Sequence, residues 1–90
     1  MKFEYDEDKS KINKEKHGIN FVEAQNLGQD ENALVVPANI VDGEVRYALI
    51  SVLKNKCYVA IYTLRNEFYR IISVRRCRKN EEKSYESNNS

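Results

Sequence analysis

The chain has 90 residues and a net charge of +1, a length that suits one domain with a thin hydrophobic core. No apolar run approaches the ~18 residues that a membrane span needs, and the charged N-terminus, Met1 to Asp6, is unlike a signal peptide. We therefore expect a single cytoplasmic domain over residues 1–86. The last four residues, 87–90, have the composition of a disordered tail.

The N-terminal half predicts a short strand followed by two helices. Lys2–Tyr5 alternates polar and apolar residues, as a strand does. Asp6 can cap a helix that ends at His17-Gly18, where glycine supplies the left-handed turn. Apolar residues then recur at helical spacing from Phe21 to Leu27, which predicts a second, shorter helix.

The C-terminal half predicts an antiparallel meander. Residues 32–36 are strand-like and run into Pro37, which suits a sheet edge or a strand end. Strand patterns over 45–53, 57–64 and 68–79 are joined by links of two or three residues, and a third helix can begin at Arg78. These elements predict an α+β domain. It has a mainly antiparallel sheet, two N-terminal helices packed on one face and a short C-terminal helix.

Charge is sorted along the chain. Residues 23–45 carry five acids and no base, whereas residues 65–79 carry six bases and one acid. A basic block after an acidic one indicates one surface that binds a polyanion and another that faces away from it. The alternative is a solvated strand edge, because Lys and Arg at sheet edges also discourage aggregation.

The last predicted strand is apolar at its centre and carries arginines at both ends. Strict alternation divides its side chains between two faces, with Ile71, Ser73 and Arg75 on one and Arg70, Ile72, Val74 and Arg76 on the other. A buried strand has no use for so many guanidinium groups. A strand that binds phosphate does, because the planar fork of arginine matches phosphate oxygens bidentately.

Three arginines suggest a way to cleave RNA. Arg46, Arg65 and Arg75 lie on, or at the end of, successive predicted strands, and a meander can bring them to one sheet face if the register allows. There they would stabilise the extra charge that develops when an RNA 2′-OH attacks the neighbouring phosphate. The alternative is that they form ordinary surface ion pairs, for example with Glu44 or Glu67.

The histidine and the two cysteines give weaker indications of function than the arginines. His17 is the single histidine, and it can serve either as a general acid or base or as a cation at the C-terminus of its helix. Cys57 and Cys77 lack the spacing of metal ligands, so we expect no metal site and no cofactor. We interpret both cysteines as small apolar residues, since a disulfide is disfavoured in a reducing cytoplasm.

Two stretches form an ordered pair of motifs that spans residues 3–86. The first runs from Phe3-Glu4-Tyr5-Asp6 through Asn13 to Lys16-His17-Gly18-Ile19-Asn20-Phe21. The second joins Gly43-Glu44-Val45-Arg46-Tyr47 to Arg70-Ile71-Ile72-Ser73-Val74-Arg75, with Glu81 and Tyr85 behind it. Together they resemble the BrnT-type toxins of bacterial type II toxin–antitoxin systems. Three departures are packing changes, with Tyr5 where the family commonly has Trp, Val74 where it has Ala and Cys77 where Ala is frequent.

The resemblance implies a RelE-like fold and a ribonuclease that blocks translation. It also implies a BrnA-like antitoxin with a ribbon-helix-helix domain, through which alone the toxin would meet operator DNA. Motif position assigns catalysis to five residues, His17, Arg46, Arg65, Ser73 and Arg75. It assigns the binding of the RNA backbone to five other residues, Lys9, Lys16, Arg70, Arg76 and Arg78.

We therefore expect a metal-independent endoribonuclease that inhibits translation, contacts no membrane and is neutralised by its antitoxin. A second hypothesis is a non-catalytic module whose basic sheet face captures nucleic acid or an acidic peptide. A third is a structural subunit whose basic face serves only to dock an acidic segment of the antitoxin.

Overall fold

A five-stranded mixed sheet forms the centre of the structure, a computed structural model that describes residues 2–88. The elements follow in the order β1 (Lys2–Glu4), α1 (Glu7–His17), α2 (Phe21–Ala24), a 3₁₀ segment (Gln25–Gln29), β2 (Leu34–Val41), β3 (Glu44–Leu53), β4 (Lys56–Arg65), β5 (Phe68–Arg76) and α3 (Lys79–Asn88). The spatial order is β1-β5-β4-β3-β2. The β1 strand runs parallel to β5, and the other neighbours are antiparallel.

Helix α1 begins and ends where its capping residues predict. One carboxylate oxygen of Asp6 accepts hydrogen bonds from the backbone N–H groups of Asp8 and Lys9, at 2.9 and 3.2 Å. Gly18 closes the helix with a φ of 76°, in the left-handed region that favours glycine. The buried side of α1 is polar, because its buried residues are Ser10 and Asn13.

Two-residue turns join β2 through β5 into the expected meander. Each turn has both residues at positive φ, at Asp42-Gly43, Lys54-Asn55 and Asn66-Glu67, as a tight hairpin turn between twisted strands requires. The first strand of the meander does not end at Pro37. It lies at the sheet edge, shifts register between Pro37 and Ile40, and continues to Val41. A residue that lacks an N–H is tolerated at such an edge.

The sheet buries apolar side chains on both faces. On one face α1, α2 and the 3₁₀ segment cover a cluster whose buried members are Ile19, Phe21, Ala24, Leu27, Tyr58, Ala60, Ile71 and Val74. On the opposite face Ala48, Ile50 and Val59 form a second cluster, against which Tyr85 of α3 packs. The α+β class is therefore confirmed. The helix arrangement differs from the prediction, because α2 is a single turn that continues as a 3₁₀ segment.

The C-terminal part of the chain departs from the expectation at two points. Helix α3 extends through Asn88, so Ser87 and Asn88 of the expected tail are helical, and residues 89–90 lie outside the described residues. Cys57 and Cys77 form a disulfide, with their Cα atoms 5.3 Å apart, instead of two separate apolar side chains. They meet because Cys77 directly follows β5 and its N–H donates to the carbonyl of Cys57 on β4. Within residues 2–88, no helix is long and apolar enough to cross a membrane.

Candidate active site: the arginine face

One extra residue in β5 changes which side chains share a face. Ile61 of β4 lies opposite Ser73, whereas the next residue, Tyr62, lies opposite Ile71, so Ile72 is left between the two pairs. Such a bulge interrupts strict alternation. Arg70 therefore lies on the same face as Ser73, and Ile71 turns into the core of the other face. The predicted faces were wrong for these two residues.

The register of the sheet brings arginines together on the face that carries α3. Arg46 of β3 pairs with Thr63 of β4, Thr63 pairs with Arg70 of β5, and Arg70 pairs with Glu4 of β1. Arg65 follows Thr63 by two residues, so its side chain lies on the same face. We call this surface the arginine face and define it by Glu4, Glu44, Arg46, Thr63, Arg65 and Arg70.

A carboxylate lies among these arginines. Glu44 accepts hydrogen bonds from Nε of Arg65 at 2.8 Å and from Nη2 at 3.3 Å. The hydrogen bond from Arg65 lowers the pKa of Glu44, and the positive charges of Arg46 and Arg70 lower it further. Glu44 therefore stays ionised at neutral pH, and the same arginines make it a weaker base than an ordinary glutamate.

Sequence reasoning treated Glu44 only as an ion-pair partner. The predicted strand began at Val45 and left Glu44 outside it, whereas β3 begins at Glu44. Residues two apart on a strand point to the same face, so a strand that began one residue earlier would have placed Glu44 beside Arg46.

Arg46 and Arg70 have guanidinium groups that the surrounding residues satisfy only in part. Nε of Arg46 is buried, and within residues 2–88 it has no hydrogen-bond acceptor. Arg70 approaches the Glu4 carboxylate at 3.7 Å, beyond hydrogen-bond distance. A buried donor without an acceptor is costly. Because Nε of Arg46 has almost no accessible surface, a phosphate oxygen would satisfy it only after the side chain moves.

Arg75 lies further along the same sheet face, and its guanidinium group is paired with a carboxylate. Its Nη1 and Nη2 atoms donate to the two carboxylate oxygens of Glu81 in α3, both at 2.8 Å. This hydrogen-bonded pair raises the pKa of Arg75 and lowers the pKa of Glu81 to about 2. Ser73 pairs with Ile61 between Arg75 and the arginine face. Arg78 precedes α3, and its backbone N–H donates to Glu81 at 2.7 Å.

The remaining predicted site residues are not brought to the arginine face. His17, Lys9 and Lys16 are exposed on α1, which packs on the opposite side of the sheet. Arg76 also points to that side, where its guanidinium carbon lies 5.6 Å from the centre of the Tyr58 ring. A strand of RNA bound to the arginine face could reach these four residues only by passing round a sheet edge.

A groove on the helix-covered side has a different character. It has a volume of about 450 Å³ and is lined mostly by apolar and aromatic side chains, among them Phe3, Tyr62 and Tyr69. Neighbouring rings in this region have centroids 5.4 to 5.5 Å apart. The residues that line this groove include no cation, whereas three arginines lie on the arginine face.

Fold and site together define a small α+β protein whose sheet presents guanidinium groups around an ionised carboxylate. The family model described as "Ribonuclease toxin, BrnT, of type II toxin-antitoxin system" matches residues 5–81. The chain therefore belongs to the BrnT family of ribonuclease toxins, as its two motifs predicted, and has a cognate antitoxin as its partner. No curated protein matches the chain.

Proposed function

We propose that the arginine face cleaves RNA internally by attack of a 2′-OH on the neighbouring phosphate, without a metal ion. The observation that carries this proposal is the convergence of Arg46, Arg65 and Arg70 around Glu44. In the proposed reaction Glu44 takes the proton of the 2′-OH, the bond from the 2′-oxygen to phosphorus forms, and the bond from phosphorus to the 5′-oxygen breaks. The departing 5′-oxygen takes a proton from water.

Each arginine has a part in this scheme. Arg46 and Arg70 are placed to stabilise the charge that develops on the phosphate oxygens, which is the largest contribution to catalysis that fixed cations can make. Arg65 holds the Glu44 carboxylate in position through two hydrogen bonds. Thr63 is nearly inaccessible and donates to the carbonyl of Val45 at 2.7 Å, so it fixes β3 against β4 beneath Arg46 and Arg70.

The other assigned residues receive weaker support. Ser73 and Arg75 lie along the same sheet face and can hold the RNA backbone, as can Arg78 beside them. The catalytic role predicted for His17 stays a prediction, and its position on α1 favours the capping role. The roles of Lys9, Lys16 and Arg76 in RNA binding also stay predictions.

We propose further that the antitoxin is BrnA-like, with a ribbon-helix-helix domain that binds operator DNA, and that it inhibits by covering the arginine face. Growth arrest would follow from the loss of translated RNA. Family membership supports the antitoxin partner, and the charge of the arginine face supports an acidic segment as the part that covers it.

The test compares three variants of the expressed protein. Arg46→Ala should abolish growth arrest and RNA fragmentation, and Glu44→Gln should lower the cleavage rate roughly 100-fold or more, as expected for loss of a general base. Arg76→Ala is the matched control, since it removes an exposed guanidinium from the opposite side of the sheet. Cleavage in the presence of a metal chelator tests metal independence.

The outcomes separate the hypotheses. Full activity of both Arg46→Ala and Glu44→Gln would contradict the assigned site. A protein that retards RNA on a gel but leaves it intact would instead be a binding module, and weak RNA binding with little salt dependence would indicate a surface that serves only the antitoxin.

A further inference from the structure

Helix α3 is held on the sheet by few contacts. None of its ten described residues is fully buried, and its apolar contribution to the core is the half-buried ring of Tyr85. The Tyr85 hydroxyl donates to a carboxylate oxygen of Asp30 at 2.7 Å. The pair between Glu81 and Arg75 is a second anchor. A helix of this length is marginal in water without tertiary contacts, so α3 is the element of this sheet face that is most easily displaced.

The disulfide lies at the base of α3. Cys77 is two residues before the start of the helix, and its bond to Cys57 fixes that point of the chain to β4. With the disulfide in place, the chain that leads into α3 leaves the sheet beside Arg75. Without the disulfide, Cys77 is still joined to β4 by the backbone hydrogen bond from its N–H to the carbonyl of Cys57.

Glu81 takes the place that a phosphate would need. Both terminal nitrogens of Arg75 donate to its carboxylate oxygens, which is the bidentate geometry in which arginine also binds phosphate. The Nη1/Nη2 edge of Arg75 can contact an RNA phosphate only after this pair opens. The Arg75 side chain is 27% exposed and Glu81 belongs to α3, so movement of α3 away from the sheet would open the pair.

We propose that α3 is a redox-controlled latch. The Cys57–Cys77 disulfide keeps α3 closed with Glu81 on Arg75, and reduction of the disulfide releases α3 so that Arg75 becomes available to RNA phosphate beside the arginine face. The RNA part of this proposal rests on the proposed function. The movement of α3 does not.

The chemistry of the switch is thiol–disulfide exchange with a low-molecular-weight thiol. The bond between the two protein sulfurs breaks, each sulfur takes up one electron and one proton, and two thiol molecules are oxidised to one disulfide. A reducing compartment would therefore hold the latch open, and oxidising conditions would close it.

The first experiment follows Arg75 directly, in the whole protein and without RNA. Phenylglyoxal, which reacts with accessible guanidinium groups, is added to oxidised and to reduced protein, and each arginine is quantified by mass spectrometry. We expect labelling of Arg75 to rise several-fold on reduction, while Arg65, which is half-exposed at the other end of β4 from Cys57, stays constant. Equal labelling of Arg75 in the two states would overturn the latch.

The second experiment measures the affinity for an RNA oligonucleotide that carries a 2′-O-methyl group at each position, so that it binds but is not cleaved. Reduction should raise the affinity roughly tenfold, the factor that one recovered charge-assisted contact provides. Glu81→Gln should raise it in the oxidised protein as well. Glu82→Gln is the matched control, because it removes the same charge from an exposed neighbour in the same helix. Cys77→Ser should bind tightly with or without reductant.

The results distinguish the latch from the proposed function. Lower affinity of Glu81→Gln would show that Glu81 orients Arg75 for RNA and would overturn the latch, as would unchanged affinity on reduction despite increased labelling. Absence of binding in both redox states would contradict the proposed function, and the labelling of Arg75 would then decide the latch by itself.

Discussion

At the scale of single residues, Asn13 shows how a polar side chain can stabilise a small core. Its amide nitrogen donates to the carbonyls of Ile19 and Val74 at 2.8 and 2.9 Å, and its oxygen accepts from the N–H of Val74 at 3.1 Å. The side chain is buried, so two hydrogen bonds that water cannot replace join α1 to β5, and a third joins α1 to the chain that leads into α2.

The substitution Asn13→Ala should lower the free energy of unfolding by about 2–4 kcal/mol, because it leaves buried backbone groups of Ile19 and Val74 without partners. Urea denaturation measures this. Ile12→Ala in the same helix is the control, since Ile12 is half-exposed and its loss should change stability by less than about 1 kcal/mol. Equal effects of the two substitutions would contradict the role given to Asn13.

At the scale of secondary-structure elements, α3 depends on ionised side chains for its position. The Glu81 carboxylate accepts from Arg75 and from the backbone of Arg78, and these bonds lower its pKa to about 2 from an ordinary value of 4.5. The hydroxyl of Tyr85 donates to Asp30, and that bond raises the pKa of Tyr85 to about 12. Both contacts therefore persist at neutral pH. The Glu81 contact weakens only in strong acid, and the Tyr85 contact weakens only in strong acid or strong base.

The acid limb of the stability curve should contain a contribution from Glu81. Because the folded pKa is lowered, the stabilisation is fully present above pH 4.5 and is lost as the pH falls toward 2. Glu81→Gln should remove this pH dependence and lower stability at neutral pH, whereas Glu82→Gln should retain it. Denaturation midpoints measured from pH 2 to 7 would show the difference, and identical profiles for the wild type and Glu81→Gln would contradict it.

At the scale of the whole molecule, the two sides of the sheet carry different features. One side carries α1, α2 and an apolar groove, and the other carries the arginine face and α3. The charge blocks of the sequence do not map onto these two sides. Glu44, from the acidic residues 23–45, lies on the arginine face, and Arg76, from the basic residues 65–79, lies on the other side. The arginine face itself carries three arginines against two glutamates, so a polyanion that approaches it meets guanidinium groups.

The salt dependence of RNA affinity should show how many phosphates the arginine face contacts. Each phosphate contact to single-stranded RNA contributes roughly 0.7 to the slope of log affinity against log salt concentration. Arg46→Ala and Arg70→Ala should each reduce the slope by about that amount, and Arg76→Ala should leave it nearly unchanged. Titrations of the 2′-O-methyl oligonucleotide at several salt concentrations test this, and a slope that changes equally in all three variants would show that binding is not confined to the arginine face.

The sequence by itself determined the local structure of this protein and its family. Capping residues such as Asp6 and Gly18 act within one helical turn, hairpin links are set by two residues, and the two motifs point to the BrnT family without reference to any contact. These features depend on neighbours in the chain, which a sequence displays directly.

Only the tertiary structure decided which side chains meet. The bulge at Ile72 moves Arg70 to the face of Arg46, and it follows from the pairing of β5 with β4 rather than from the composition of β5. The pairing of Arg75 with Glu81 likewise depends on α3 folding back over the sheet. Since a shift of one residue in register exchanges the faces of a strand, the composition of the site could be anticipated from the sequence, but its geometry could not.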